Sequence, residues 1–265
     1  MKKTPFAIYI IACIFLLATP VFAQDVSDMA LIPGGTFIMG DMAGDTDERP
    51  PHEVSVDSFF IDRFEVTNSE FASFLNEKGN RETEGIPWIL TDSESCRIKP
   101  AGGSFEVEPG YEDHPVVMVN FYGAEAFAHW AGKRLPTEAE WELAARGGLE
   151  NAPYPWGDDL DTTLANYDRK RNGTTPVGVY PPNGYGLFDM AGNVSELVSD
   201  WYDASYYRSA PSKNPGGPME GTTHTVRGGD WASGPNSLTV YGRNEGAPPY
   251  RSLPTVGFRC ARDAR

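Results

Sequence analysis

Gly132-Lys133-Arg134-Leu135-Pro136-Thr137-Glu138-Ala139-Glu140-Trp141-Glu142 is the stretch from which the fold can be read. Pro136 is the last residue before a helix can begin. Thr137 and Glu140 then spell a capping box: the threonine hydroxyl takes the third amide of the helix and the glutamate returns to the cap's own amide. Trp141, Ala144 and Ala145 follow at helical spacing and make one apolar stripe. Gly147-Gly148 stop the helix. Glu138 and Glu140 invite an acid–base reading. First-turn glutamates are ordinarily partners of the cap and the helix dipole, and that is the role expected of them.

The same grammar recurs upstream. Thr67-Asn68-Ser69-Glu70 is a second capping box, with Phe71, Phe74 and Leu75 at helical spacing behind it. A third helix is expected from about Phe121 to Gly132, burying Phe127, Trp130 and Ala131. Short strands are expected at Ala30–Ile32, Gly35–Met39, His52–Val56, Phe59–Asp62, Val116–Val119, His224–Arg227 and Gly257–Ala261, with clear alternation in His52-Glu53-Val54-Ser55-Val56-Asp57. The 28 glycines and 22 prolines punctuate the chain too often for long regular elements. Few helices, short strands and long ordered loops predict an α+β fold.

Met1-Lys2-Lys3, the apolar run from Phe6 to Ala18 and Val21-Phe22-Ala23 read as a secretory leader cut after Ala23, which leaves residues 24–265 as one domain. The apolar run is short for a membrane span. It continues past Cys13, which argues against lipidation there. The mature chain is thus expected to be exported, periplasmic or secreted, with no membrane span. Removing Lys2 and Lys3 takes the net charge from −15 to −17. So acidic a chain disfavours nucleic acid, because neutralising phosphates needs Lys and Arg. Two cysteines remain after cleavage, Cys96 and Cys260, and an oxidising compartment lets them form one bridge.

An ordered set of motifs resembles the formylglycine-generating enzymes, or sulfatase-modifying factors. It comprises Ile32-Pro33-Gly34-Gly35-Thr36-Phe37-Ile38-Met39-Gly40, Phe64-Glu65-Val66-Thr67-Asn68-Ser69-Glu70-Phe71, His114-Pro115-Val116-Val117, and the block beginning at Gly132. Pro155-Trp156-Gly157, Asn166-Tyr167, Asn183-Gly184-Tyr185-Gly186-Leu187-Phe188-Asp189-Met190-Ala191-Gly192-Asn193-Val194 and Arg227-Gly228-Gly229 follow in the family's order. The resemblance spans roughly Met29 to Arg262 and implies a variant of the C-type-lectin-like fold with little regular secondary structure.

It also implies ligands. Asp189, Glu196 and the carbonyls of Gly192 and Val194 match a structural calcium site. Such a turning loop of carboxylates and carbonyls suits a hard cation. Asn166 and Tyr167 match a second, weaker calcium site, whose following loop here is short and basic (Arg169-Lys170-Arg171). The family's oxidases bind copper through two cysteines beyond the paired glycines and convert a substrate cysteine to formylglycine. No cysteine lies between Gly229 and Gly257 here, and the two positions fall on or near Ser233 and on or near Leu238. Thiolates suit Cu(I); a serine is a poor ligand for it and a leucine is none. Asp230 stands where the family often has serine, and Ser195-Glu196-Leu197 where it has Trp-Glu-Trp. The family's usual partner for Cys260 lies near Ala128, which is not a cysteine.

His52, His114, His129 and His224 are scattered without metal-ligand spacing, and no Gly-x-Ser-x-Gly elbow exists. Arg227, Arg243 and Arg259 sit among core-like residues and are expected to be structural ion-pair partners. Asp230, Trp231, Ser233 and Arg243 are the cleft candidates. Trp231, Tyr241, Tyr250, Asn236 and Asn244 surround the vacated position and suit peptide or sugar recognition, or else core packing. The chain is therefore expected to be an exported non-oxidase member. It would bind a peptide or exported protein, or assist its maturation, with structural calcium and without copper. The alternatives are an active oxidoreductase of the family at the same cleft, and a structural subunit of an extracytoplasmic assembly.

Overall fold

The computed structural model describes residues 27–264, apart from residue 162. The leader expected over residues 1–23 lies outside them. In chain order the elements are β1 (Met29–Ile32), β2 (Gly35–Met39), β3 (His52–Val56), β4 (Phe59–Asp62), α1 (Asn68–Lys78), β5 (Glu82–Thr83), β6 (Ile86–Pro87), β7 (Ile98–Ala101) and β8 (Ser104–Val107). They continue with α2 (Phe121–Trp130), α3 (Glu138–Ala145), β9 (Ser195–Trp201), β10 (His224–Arg227), β11 (Arg243–Glu245), β12 (Val256–Gly257) and β13 (Ala261–Asp263). This is an α+β arrangement of low regularity, as the spacing of glycines and prolines predicts.

The three helices start where their caps place them. Thr67 accepts the Glu70 amide at 3.3 Å, and Glu70 accepts the Thr67 amide at 2.8 Å. Thr137 and Glu140 repeat the exchange at 3.2 and 2.8 Å. Asn120 caps α2 by accepting the Gly123 amide at 2.9 Å. That helix ends at Trp130, two residues before the left-handed Gly132 (φ 68°).

β1, β4 and β13 form one antiparallel sheet, so the last strand returns to the first: Ala261 pairs with Ile61, which pairs with Ala30. A second sheet runs β11-β10-β9-β12, and the β2–β3, β5–β6 and β7–β8 hairpins lie outside both sheets. Two large apolar cores and a smaller cluster around Leu238 result among the described residues. Phe71, Phe74, Phe127 and Phe258 meet ring to ring between α1, α2 and the C-terminal segment. Fully burying each such side chain contributes about 1.5–3 kcal/mol. The second core packs α3, through Trp141, Ala144 and Ala145, against Val54, Ile61, Val198 and Val240.

Two expected strands differ. Val116–Val119 is not a strand: Met118 takes φ 62°, so only an isolated Ile89–Val119 bridge survives. Gly257–Ala261 is divided, because the chain changes sheets between β12, parallel to β9, and β13, antiparallel to β4. β9 has no apolar–polar alternation to announce it. It lies between β10 and β12 and is buried on both faces through Val198.

The cysteine bridge is a correction. Cys96 and Cys260 are both free and buried in the first core. The Cys96 thiol donates to the Ile98 carbonyl at 3.3 Å, and the Cys260 amide donates to the Asp62 carboxylate at 3.0 Å. Burial pushes both thiols above their ordinary range, Cys260 strongly, with Asp62 beside it adding to the shift.

Candidate functional site

The chain leaves β10 at Arg227 and turns through Gly228 (φ 87°) and Gly229 (φ 67°). A Cβ at Gly229 would meet the Ser237 carbonyl oxygen at 2.7 Å, so only glycine permits this approach. The turn delivers Asp230, Trp231 and Ser233 as one folded loop. The Asp230 amide donates to Ser233 Oγ at 3.1 Å, the Ala232 amide to Asp230 Oδ1 at 2.8 Å, and the Trp231 amide to the Asn193 carbonyl at 3.0 Å. Ser195 Oγ donates to Asp230 Oδ2 at 3.3 Å from β9. Asp230 and Ser195 therefore hold each other.

Leu238, by contrast, is fully buried. It packs with Ala165, Tyr167 and Ala191, flanked by Tyr154 and Trp156. Trp231 is half-buried, and Asn236 and Tyr250 are exposed. Tyr241 packs on the second core, and Asn244 pairs with Val226 in the sheet. Arg243 takes the ion-pair role expected of it, and its place among the cleft candidates is corrected. Its side chain is buried and grips Glu138 with Nε at 2.7 Å and Nη2 at 3.1 Å.

That grip belongs to a buried ionic network behind the cleft. Arg227 reaches Glu138 at 3.2 Å and Glu142 at 2.6 Å, and donates to the carbonyls of Val240 and Tyr241. Arg146 holds the other Glu142 oxygen at 2.6 Å. Burial alone would raise the Glu142 carboxyl, but Arg146 and Arg227 outweigh it and hold it below the usual range. Every residue of α3 is buried, so the helix carries its charges inward to these arginines. Glu140 caps Thr137 and binds Arg134 through both oxygens at 2.7 Å. Neither glutamate of the pair is left for acid–base work.

Asp200 borders this network. It accepts the Glu138 amide at 2.9 Å, and burial, with the Glu138 charge adding to it, pushes its carboxyl up to about 7. An acid whose folded pKa is raised holds its proton in the fold while the unfolded chain has lost it. Its stabilising contribution is complete below about pH 4 and is lost as pH rises to about 7, with a slope of at most ~1.4 kcal/mol per pH unit. Asp200→Asn should therefore match the parent near pH 4 and be the more stable protein at pH 8. Urea melts at both pH values check this, and an unchanged difference between them would contradict it.

His224 lies between Phe121 (ring centroids 3.4 Å apart) and Trp201 (3.9 Å), with Nδ1 3.1 Å from the Ser199 carbonyl. Burial lowers it to about 4, so it is a neutral core residue at physiological pH.

The turn from Asp189 to Glu196 lies under the same loop. Asp189 (φ 55°), Gly192 (φ 82°) and Asn193 (φ 61°) are left-handed, which coils the segment tightly. Asn193 is fully buried; its amide group donates to Glu65 at 2.6 Å and accepts the Thr175 amide at 2.9 Å. Glu65, which also accepts the Val194 amide at 3.2 Å, was not singled out as a site residue. Its signal is an acid between Phe64 and Val66, directly before a helix cap. Burial, reinforced by Asp189 and Glu196, pushes its carboxyl well above the ordinary range.

Glu196 accepts Arg259 Nε and Nη2 at 2.7 Å each and Trp141 Nε1 at 2.8 Å. A carboxylate has about four lone-pair sites, so roughly one remains for a cation. Asp189 accepts the Gly178 amide at 2.7 Å, and burial raises it to about 6. Asn166 is buried with Oδ1 unpartnered, while its amide nitrogen donates to the Gly173 carbonyl at 2.9 Å. An orphaned buried acceptor and a desolvated carboxylate fit a hard cation. Among the described residues no group of three or more His, Cys, Asp or Glu side chains could hold a metal, so carbonyls would have to supply the rest.

The Sulfatase-modifying factor enzyme 1-like domain family matches residues 17–264. The chain belongs to this family. It is 36% identical to the Formylglycine-generating enzyme of Streptomyces coelicolor, over 88% of this chain and 88% of that protein. It is 41% identical to the Serine/threonine-protein kinase pkn1 of Chlamydia caviae over 90% of its own length, but spans only 38% of that protein. The solved structure of PvdO from Pseudomonas aeruginosa superposes with a TM-score of 0.70 at 29% identity, covering 89% of this chain and 94% of that one. No helix among the described residues is long and apolar enough to cross a membrane.

Proposed function

We propose that this protein is an exported member of the formylglycine-generating-enzyme family that has given up copper-dependent oxidation. It uses the vacated cleft to bind a peptide or an exported protein, or to assist its maturation. The observation that supports this is Leu238, on or near which the resemblance puts the second copper position: the residue is fully buried, packed among Ala165, Tyr167 and Ala191. At the first position, Ser233 Oγ is taken by the Asp230 amide. The thiols of Cys96 and Cys260 are buried in the first core, where burial raises both above their ordinary range, the reverse of what a thiolate–copper centre needs. Oxygen uptake tests the proposal. With copper, a reductant and a cysteine-containing sulfatase peptide, the protein should consume oxygen no faster than the peptide alone. Conversion of the peptide cysteine to an aldehyde would sink it.

The same reading assigns calcium a structural role at Asp189, Gly192, Val194 and Glu196, and a second one at Asn166 and Tyr167. A cation there would compensate the desolvated Asp189 carboxyl and the orphaned Asn166 oxygen. Ligand binding to the native state stabilises it by about 2.7 kcal/mol at a hundred times Kd. Thermal melts with millimolar calcium and with excess EGTA should therefore differ by several degrees, with the calcium form higher. Superimposable melts would remove calcium from the account.

A further inference from the structure

Arg169-Lys170-Arg171 is the only run of three cations in a chain of net charge −15. All three are exposed, and among the described residues neither Arg169 nor Arg171 makes a side-chain ion pair or hydrogen bond. This contrasts with Lys133 and Arg134, which are consumed by Asp62, Glu140 and Asp263. Lys170 lies over the Tyr167 ring, 3.9 Å from its centroid.

The run is held on the cleft itself. The Asp168 amide donates to the Ser233 carbonyl at 2.9 Å, and the Arg169 amide to the Trp231 carbonyl at 2.7 Å. Asp168, Arg169 and Asn172 are left-handed at φ 55–56°. That conformation is unfavourable for a side chain such as arginine. Strain of this kind persists only where surrounding contacts over-determine it, and it clusters at binding sites. Beside the clamp stand half-buried Trp231 and the stacked Tyr154–Trp156 pair, with ring centroids 5.5 Å apart at 5°.

We infer that the cleft, read as a peptide site in the preceding section, takes an acidic peptide segment. Carboxylates of the segment sit on Arg169 and Arg171, and an adjacent apolar or aromatic side chain sits on Trp231. Guanidinium forks match carboxylates, and aromatic faces supply contact area at little entropic cost. The rest of the surface selects for a short segment. Fields are screened beyond about 8 Å at physiological ionic strength. A docked peptide therefore feels the local cations, whereas a long polyanion would run onto a surface of its own sign.

The test is fluorescence anisotropy on the full chain with three short labelled peptides of one pattern: apolar residues alternating with Glu, with Gln or with Lys. The Glu peptide should bind best and weaken with added salt. The double variant Arg169→Glu, Arg171→Glu should lose about tenfold or more in affinity for it. Its thermal midpoint should stay within a degree or two, because neither residue has a partner to lose. Equal binding of all three peptides, abolished by Trp231→Ala, would overturn the charge assignment and leave the peptide-site reading standing. Binding of no peptide would overturn both. Capture of a sulfated polysaccharide in place of the Glu peptide would also overturn the assignment.

Discussion

Arg227→Ala is expected to destabilise the protein by about 3–5 kcal/mol, because removing one partner leaves buried carboxylates uncompensated. Arg227 is fully buried, and its guanidinium holds Glu138, Glu142 and the carbonyls of Val240 and Tyr241 together. Arg243 and Arg146 still attend the two glutamates, which is why the expected cost is that of one broken pair and not a collapsed network. For a domain of this size each kcal/mol moves the melting midpoint by about 2–4 °C, so the fall should lie between roughly 6 and 20 °C. Arg97→Ala is the control: its pair with Glu108 is about one-third exposed on both sides, and such pairs contribute about 1 kcal/mol or less. Calorimetry of both variants decides. A loss at Arg227 no greater than that at Arg97 would mean that the network is not what fixes α3 against β10.

Gly192→Ala should cost about 3 kcal/mol or more. The residue is left-handed (φ 82°), which alone costs a side chain about 1–2 kcal/mol. An added Cβ would also stand 2.4 Å from the Asn166 carbonyl oxygen, a backbone atom that accepts the Asn193 amide and has little room to yield. Gly103→Ala separates the two terms, since Gly103 is also left-handed (φ 96°) but its Cβ would meet nothing within 4 Å. Urea denaturation of both variants should show the larger loss at Gly192. Equal losses would mean that the Asn166 contact is soft. The same turn is the proposed calcium loop, so Gly192→Ala should also shrink the difference between calcium and EGTA melts.

What the sequence made legible was local. Capping boxes announce themselves because cap and return residue sit three positions apart, and both Thr67-Glu70 and Thr137-Glu140 formed as written. Isolated strands with period-two alternation, such as His52–Val56, were equally plain. What was hidden depends on distant partners. β9 is buried on both faces and shows no alternation. Val116–Val119 has strand composition but a left-handed Met118 that no local pattern betrays. Glu138 read as a helix-dipole partner, and no local pattern shows that Arg227 and Arg243, from far along the chain, bury it and that Arg227 buries Glu142. Arg243 was both an ion-pair and a cleft candidate, and β11 turns it inward onto Glu138. The two cysteines suggested a bridge by their number alone, and the fold instead sequesters each as a free thiol. The cleft was legible as the place where family residues are exchanged. The hydrogen bond between Ser195 and Asp230 was not legible, because it joins β9 to a loop 35 residues further on.

Whether this chain binds copper is measured most directly by a Cu(I) titration of the reduced full chain against a chromophoric chelator of known affinity. No stoichiometric transfer of Cu(I) from the chelator is predicted, because Ser233 and buried Leu238 offer no thiolate. Transfer of one equivalent of Cu(I) to the protein, abolished by substituting Ser233 or Asp230, would contradict it.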